Sequence, residues 1–190
     1  MASKLLRSVL CVVFFSSAGA GVAFAEEPEG TNDVKRQQID ADSRGALSHL
    51  YASTRGSREL VAKSRGVLVF PSVLAGGIGI GGQYGEGELL VDGKPVAFYS
   101  TSGLSLGAQL GAQSKAIVIL FLTQDALDRF LASDGWTAGV DASVALLKAG
   151  ATGEIDTQTA ATSVIGFVLT NSGLMFDASI AGTKVSRIAL

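Results

Sequence analysis

The spacing of apolar residues changes near residue 65, from a helical period to a period of two. Before that point one face carries apolar and small residues three or four positions apart, which predicts a helix over about 33–52. A second, short helix is predicted over 58–64, with Ser57 as its N-cap and with Leu60 and Val61 facing inward. The residues on the apolar face of the first helix are Ile39, Ser43, Ala46, Leu47 and Leu50.

From Gly66 onward the pattern predicts short strands separated by turn signals. Residues 67–70 form an apolar strand that Pro71 and Ser72 are expected to end. Residues 77–84 and 87–91 continue as strands rich in glycine. Asp92 and Gly93 are a strong hairpin signal before a strand over 95–102.

The second half of the chain adds one clear alternating strand, one buried strand and one helix. Residues 103–113 alternate between apolar and polar or small side chains, and residues 116–122 are apolar throughout, as in a strand covered on both faces. A helix is predicted over 124–131, capped by Thr123, with Ala126, Leu127, Phe130 and Leu131 on its inner face. Further strands are expected at 138–147, 163–170 and 174–181, with a turn at 171–173.

These elements predict an α+β fold in which N-terminal helices pack on a Gly-rich, strongly curved antiparallel β-sheet, or on a closed or partly closed β-barrel. Strands of nine or ten residues joined by hairpins favour such curvature. The glycines are expected to allow bending of the sheet and close packing of one backbone against another.

The N-terminus has the pattern of a secretory signal peptide over residues 1–25. Lys4 and Arg7 precede an apolar run, and Ala23–Ala25 is a small-residue cleavage site. Cleavage there would remove Cys11, the only cysteine, so no disulfide is expected. An acidic, flexible leader is predicted over 26–33 and a single domain over 34–190. The chain is therefore expected to be exported, to the periplasm or outside the cell, where it could associate peripherally with a membrane.

Charge is distributed unevenly along the chain. The whole sequence has a formal net charge of −2; the predicted signal peptide holds two bases and no acid, so the remainder carries −4, which argues against a general nucleic-acid binder. Residues 35–65 nevertheless hold seven bases against three acids. A basic helical segment of this kind is either a solvated surface or a site for anionic lipid head groups. The seven bases are Lys35, Arg36, Arg44, Arg55, Arg58, Lys63 and Arg65.

Residues with catalytic or metal-binding chemistry are sparse. Gly77, Gly79 and Gly82 match the spacing of a dinucleotide-binding loop, but the sequence that follows cannot begin the helix that such a loop requires. His49, the only histidine, lies among apolar neighbours on the first helix and is expected to be partly buried. Glu86 and Glu88 are expected to form a solvated surface near a hairpin end. We therefore predict no enzyme activity, no cofactor and no metal site.

A second candidate site is polar. Side chains along the Gly-rich strands could line a small ligand, although a plain solvent-facing surface is the simpler interpretation. The residues are Tyr84, Ser105, Gln109 and Gln113.

Several ordered sequence blocks resemble the SYLF domain family. The blocks are Gly66–Pro71, Gly81–Gly87, Ser105–Ser114, Asp141–Val144 and Gly150–Glu154, and the resemblance covers roughly Ser48–Ile188. It implies a lipid-binding module: eukaryotic relatives bind phosphoinositides, yeast relatives bind actin, and bacterial relatives are envelope proteins. The chain is most similar to the exported bacterial kind, a single domain.

The leading hypothesis is a non-catalytic envelope protein that binds anionic lipids, with phosphoinositide-like head groups included, through the basic helical segment. The alternative is a structural or protein-interaction module of the envelope that binds a protein partner without dependence on lipid.

Overall fold

The described part of the chain comprises residues 29–146, 162–170, 173–174 and 180–190 of a computed structural model. Residues 1–28 (the predicted signal peptide among them), 147–161, 171–172 and 175–179 lie outside it, and so does most of the strand predicted at 174–181; the side chains of residues 29, 77–80, 105–112 and 173–174 also lie outside it. Within it, three helices and seven strands form one α+β domain, which confirms the predicted fold class. The helices are α1 (Glu29–Ser53), α2 (Ser57–Lys63) and α3 (Gln124–Ala132). The strands are β1 (Gly66–Val91), β2 (Lys94–Phe121), β3 (Trp136–Thr137), β4 (Ala145–Leu146), β5 (Val164–Thr170), β6 (Gly173–Leu174) and β7 (Lys184–Ile188).

Strands β1 and β2 form one long antiparallel hairpin that organises the whole sheet. They pair from Gly66 with Phe121 at the base to Val91 with Lys94 at the tip, where Asp92 (φ 52°) and Gly93 (φ 73°) make the predicted tight turn. Pro71 does not end a strand as expected. It lies in a register shift between Phe70 and Val73, where the ladder has no paired residue, so the absence of an N–H on proline costs no inter-strand hydrogen bond.

The far edge of β2 holds the rest of the sheet. Strand β7 pairs with residues 98–102 of β2, and β5 pairs with residues 116–121. Strands β3 and β6 add antiparallel pairs, while β4 pairs in parallel with β5, so the sheet is mixed rather than purely antiparallel. Strand β7 was not predicted from the sequence; the strand expected at 138–147 is limited to β4 and an isolated bridge between Ala138 and Ala142.

The long hairpin curls so far that β1 meets itself. A Cβ atom on Gly85 would lie 2.7 Å from the Ser72 carbonyl oxygen, and one on Gly87 would overlap the carbonyl oxygen of Val69. We call this contact between residues 69–73 and 85–87 the seam. Among the described residues, no ladder of backbone hydrogen bonds crosses the seam. The sheet is therefore a curled half-barrel and not a closed barrel. The expectation that glycines permit close backbone packing is confirmed at Gly85 and Gly87.

Two apolar clusters lie on the two faces of the sheet. The inner face of the curl packs against α3 and the single tryptophan, Trp136, whose ring lies 5.7 Å from that of Phe130 and 6.2 Å from that of Phe121 between centroids. The outer face packs against α1 and α2. Residues 117–121 contribute alternately to both clusters, which confirms a strand covered on both faces. The inner cluster includes Leu68, Phe70, Leu89, Ile117 and Phe121; the outer one includes Ala46, Leu50, Val67, Val69, Leu90, Val118 and Phe167.

The helices largely follow the sequence prediction. Helix α1 buries Ile39, Ser43, Ala46 and Leu50, the predicted face, but begins at Glu29 and so includes residues assigned to the leader. In α3, Thr123 caps the first turn by accepting a hydrogen bond from the Ala126 N–H at 3.3 Å. Two details were wrong. Leu131 is exposed. Ser57 does not cap α2; its hydroxyl instead donates to the Thr54 carbonyl oxygen at 2.6 Å.

Candidate functional site: basic helical surface and its surroundings

The seven predicted basic residues divide into two groups with different surroundings. Three lie on α1 and are each within salt-bridge distance of a carboxylate. These pairs partly neutralise the basic charge of α1, so the helix presents less free positive charge than its composition indicates. The pairs are Lys35 with Glu86 (2.9 Å), Arg36 with Asp33 (3.2 Å) and Arg44 with Asp40 (2.6 Å).

The other four bases surround α2 and are exposed. We call Arg55, Arg58, Lys63 and Arg65 the α2 basic cluster; within the described residues none of them has a carboxylate at salt-bridge distance. The Arg58 guanidinium lies 4.3 Å from the centre of the Tyr51 ring, a cation–π contact that leaves its charge available to solvent.

The position of the α2 basic cluster follows from packing of its apolar neighbours. Leu60 and Val61 pack against the outer apolar cluster, as predicted, and hold α2 at the base of the hairpin. The charged side chains on the same short helix must then face solvent. Glu59 is the only acid between residues 55 and 65, so this surface carries a net positive charge and can attract an anion.

The predicted polar ligand surface is not brought together by the described side chains. Tyr84 is 53% exposed on the outer side of β1, and its hydroxyl donates to the Glu86 carboxylate at 2.9 Å. Gln113 is exposed, and the side chains of Ser105 and Gln109 lie outside the described part. Gln83, which the sequence analysis did not select, is buried and donates to the Thr183 hydroxyl at 3.0 Å.

Glu86 and Glu88 do not form a solvated pair of carboxylates. Both lie on the outer side of β1 beneath α1, because side chains two residues apart on a strand share a face. Glu86 is partly covered and pairs with Lys35, whereas Glu88 is completely buried. The expectation of a solvent-facing surface is wrong for Glu88, since α1 covers that part of the strand.

His49 is half-buried, as expected for a structural histidine. It lines a groove of about 450 Å³ between α1 and the sheet, together with Gly45, Ser72 and Ser114. Within the described residues, no three His, Cys, Asp or Glu side chains are grouped closely enough to hold a metal ion. Among the helices in that part of the chain, none has the length and apolar character that a membrane crossing needs.

The middle of the long hairpin carries exposed apolar side chains and no charge. Leu74 is 59% exposed and Leu104 is 78% exposed. No Asp, Glu, Lys or Arg occurs in residues 71–85 or 101–114. Among the described residues, 103–115 of β2 pair only with β1, so no described strand lies along their other edge.

Comparison with known protein families gives one match. The model of the Ysc84 family, described as "Las17-binding protein actin regulator", matches residues 102–188. A search of curated proteins finds no match. The matched region runs from the middle of β2 to β7, so α1, α2 and the α2 basic cluster precede it, as do the two sequence blocks at 66–71 and 81–87.

The match confirms the resemblance deduced from the sequence over its C-terminal part. The family is one of binding domains and is associated with lipid and actin binding. Residues 102–188 of this chain therefore match the Ysc84 (SYLF) family.

Proposed function

We propose that this protein is a non-catalytic module that binds anionic lipid surfaces through the α2 basic cluster, at a membrane of the compartment to which it is exported. The association of the Ysc84 family with lipid binding supports the ligand class. The observation that carries the proposal is the exposure of four bases within eleven residues without a described carboxylate partner.

The ion pairs on α1 limit the proposed lipid-binding residues to a part of the seven bases that the sequence suggested. A base already paired with a carboxylate gains less from an anionic head group, because binding would have to replace the existing partner. Each unpaired basic residue near an anionic membrane contributes about 1 kcal/mol. The α2 basic cluster should accordingly contribute most of the lipid affinity, and Lys35, Arg36 and Arg44 much less.

Two triple variants with the same change in net charge test this division. The first replaces Arg55, Lys63 and Arg65 by Gln; the control replaces Lys35, Arg36 and Arg44 by Gln. In co-sedimentation with vesicles of phosphatidylcholine and phosphatidylglycerol, the first should lower the partition coefficient by roughly a hundredfold, since the lost free energy is about 3 kcal/mol. The control should bind nearly as tightly as the wild type.

Salt and lipid composition provide the decisive comparisons. Binding should weaken as ionic strength rises, because exposed charges are screened over about 10 Å at 0.1 M salt. Equal binding to vesicles with and without phosphatidylglycerol at low salt would overturn the electrostatic proposal. Equal weakening in both triple variants would show that net charge acts rather than the α2 basic cluster.

The exposed hairpin favours a second candidate function, a protein-interaction module that does not require lipid. A strand edge without charge over residues 103–114, beside the exposed Leu74 and Leu104, can accept a further strand from a partner. Replacing Leu104 by Lys would place a charge on this surface. If the second function holds, the variant should lose a protein partner captured from the native host while keeping its vesicle binding.

A further inference from the structure

Glu88 is the most unusual titratable group in the described structure. Its side chain has no solvent exposure, and neither carboxylate oxygen has a hydrogen-bond partner. Ser43, which faces it from α1, is equally buried, and its hydroxyl group also lacks a partner. A buried, unpartnered carboxylate is costly in its charged form and much less so in its neutral form.

The groups around Glu88 do not offset that cost. From α1, the Asp40 carboxylate opposes ionisation, while the Ser43 hydroxyl, a hydrogen-bond donor that faces the carboxyl group, and the Arg44 guanidinium favour it to a smaller extent. Arg44 is already paired with Asp40 at 2.6 Å. On the strand side, Glu86 is paired with Lys35, and Phe98, opposite Glu88 on β2, does not titrate.

The location of Glu88 makes its protonation state matter for α1. The carboxyl group lies under the helix, between the Lys35–Glu86 ion pair and the apolar contacts of Ala46 and Leu50. Burial raises the pKa of Glu88 above its ordinary value of 4.5, and the Asp40 charge raises it further. An ionised Glu88 could recover its hydration only if α1 moved away from the sheet.

We propose that Glu88 is a pH-sensitive switch for helix α1: with the carboxyl group neutral, α1 packs on the sheet, and ionisation loosens that packing. The sign follows from proton linkage. The packed state holds the proton more tightly than the opened state, so the contribution of Glu88 to α1 packing is most favourable at and below pH 4.5. It weakens as pH rises from that value through the raised pKa and is constant above it. This inference does not depend on lipid binding.

Hydrogen exchange of the full chain without lipid tests the switch directly. After correction for the intrinsic pH dependence of exchange, protection of the amides at 39–50 should fall by up to about tenfold for each pH unit between about pH 5 and the raised pKa. Protection of α3, which packs on the opposite face of the sheet, should not follow this dependence.

Two variants separate the switch from ordinary destabilisation. Glu88→Gln and Glu88→Met cannot ionise at this position, so each should abolish the pH dependence of α1 protection, whatever its effect on overall stability. Glu59→Gln removes an exposed carboxylate on α2 and should leave the dependence intact. A wild type without pH-dependent protection of α1, or a Glu88→Met variant with the wild-type dependence, would overturn the inference.

Discussion

Gly87 provides the sharpest test of how the half-barrel is closed. Replacing Gly87 by Ala would place a Cβ atom on the carbonyl oxygen of Val69 and 2.7 Å from Cδ1 of Phe70. The Phe70 ring could shift slightly, but the Val69 carbonyl belongs to a ladder that pairs with Val118. The methyl group therefore cannot be accommodated without moving β1 at the seam.

The expected cost can be estimated from overpacking of well-packed interiors, which is about 1–3 kcal/mol and sometimes more. Because the contact is with backbone, we expect Gly87→Ala to lie at the upper end, about 3 kcal/mol. For a domain of this size, 1 kcal/mol shifts Tm by roughly 2–4 °C, so the melting temperature should fall by roughly 6–12 °C.

Gly82 supplies the matched control on the same strand. A Cβ atom there would meet no atom within 4 Å, and Ala in a strand interior is less costly than Gly by roughly 0.5–1 kcal/mol. Gly82→Ala should therefore be neutral or slightly stabilising. Both variants are compared by circular dichroism on heating and by urea unfolding with an unchanged m-value. If Gly87→Ala unfolds at the same midpoint as Gly82→Ala, the seam does not constrain β1 as described.

Two further predictions concern the rings and the inner cluster. All three tyrosines have raised pKa values: burial is the main cause for Tyr51 and Tyr99, and the hydrogen bond to Glu86 is the main cause for Tyr84. When absorbance near 295 nm is followed, the native protein should thus ionise its tyrosines above pH 10, whereas the denatured chain should titrate at the ordinary value of about 10. The free energy of unfolding should fall as pH rises from about 10 through the raised pKa values. Coincident titration curves of the native and denatured chains would contradict this prediction. Phe130→Ala removes a ring that contacts Tyr99, Phe121 and Trp136 and should lower the free energy of unfolding by about 3–5 kcal/mol. The fluorescence of Trp136 should change with it, while Leu131→Ala, on the exposed side of α3, should leave both nearly unchanged.

The helices and the main hairpin could be predicted because local patterns determine them. The buried face of α1, the Thr123 cap and the Asp92–Gly93 turn each depend on residues close in sequence. The continuity of β1 through Pro71 could not be predicted in this way. A proline reads as the end of a strand unless it lies at a register shift, and the shift becomes evident only from pairing with a distant strand.

The candidate sites show the same division between local and tertiary information. The excess of bases at 35–65 is visible in the sequence, but which of them are free depends on α1 packing over Glu86 and on pairs within α1 itself. Glu88 lies two residues after Glu86 in a Gly-rich strand, a pattern typical of solvent exposure. Its burial comes from a helix that begins more than fifty residues earlier in the chain, and no periodicity within the strand indicates that contact.

The two proposals can be tested independently because they rest on different contacts of the same helical layer. The α2 basic cluster is held by Leu60 and Val61 against the outer apolar cluster, and α2 is joined to α1 beyond Leu50, the last fully buried residue of that helix. Glu88 lies under the preceding part of α1, near Ser43. Loosening of α1 around Glu88 therefore does not require α2 to leave the sheet. It follows that Glu88→Met should abolish the pH dependence of α1 protection while vesicle binding persists. The triple substitution of Arg55, Lys63 and Arg65 by Gln should weaken vesicle binding and leave the pH dependence of α1 protection intact. A single variant that abolished both would mean that the two helices move as one unit.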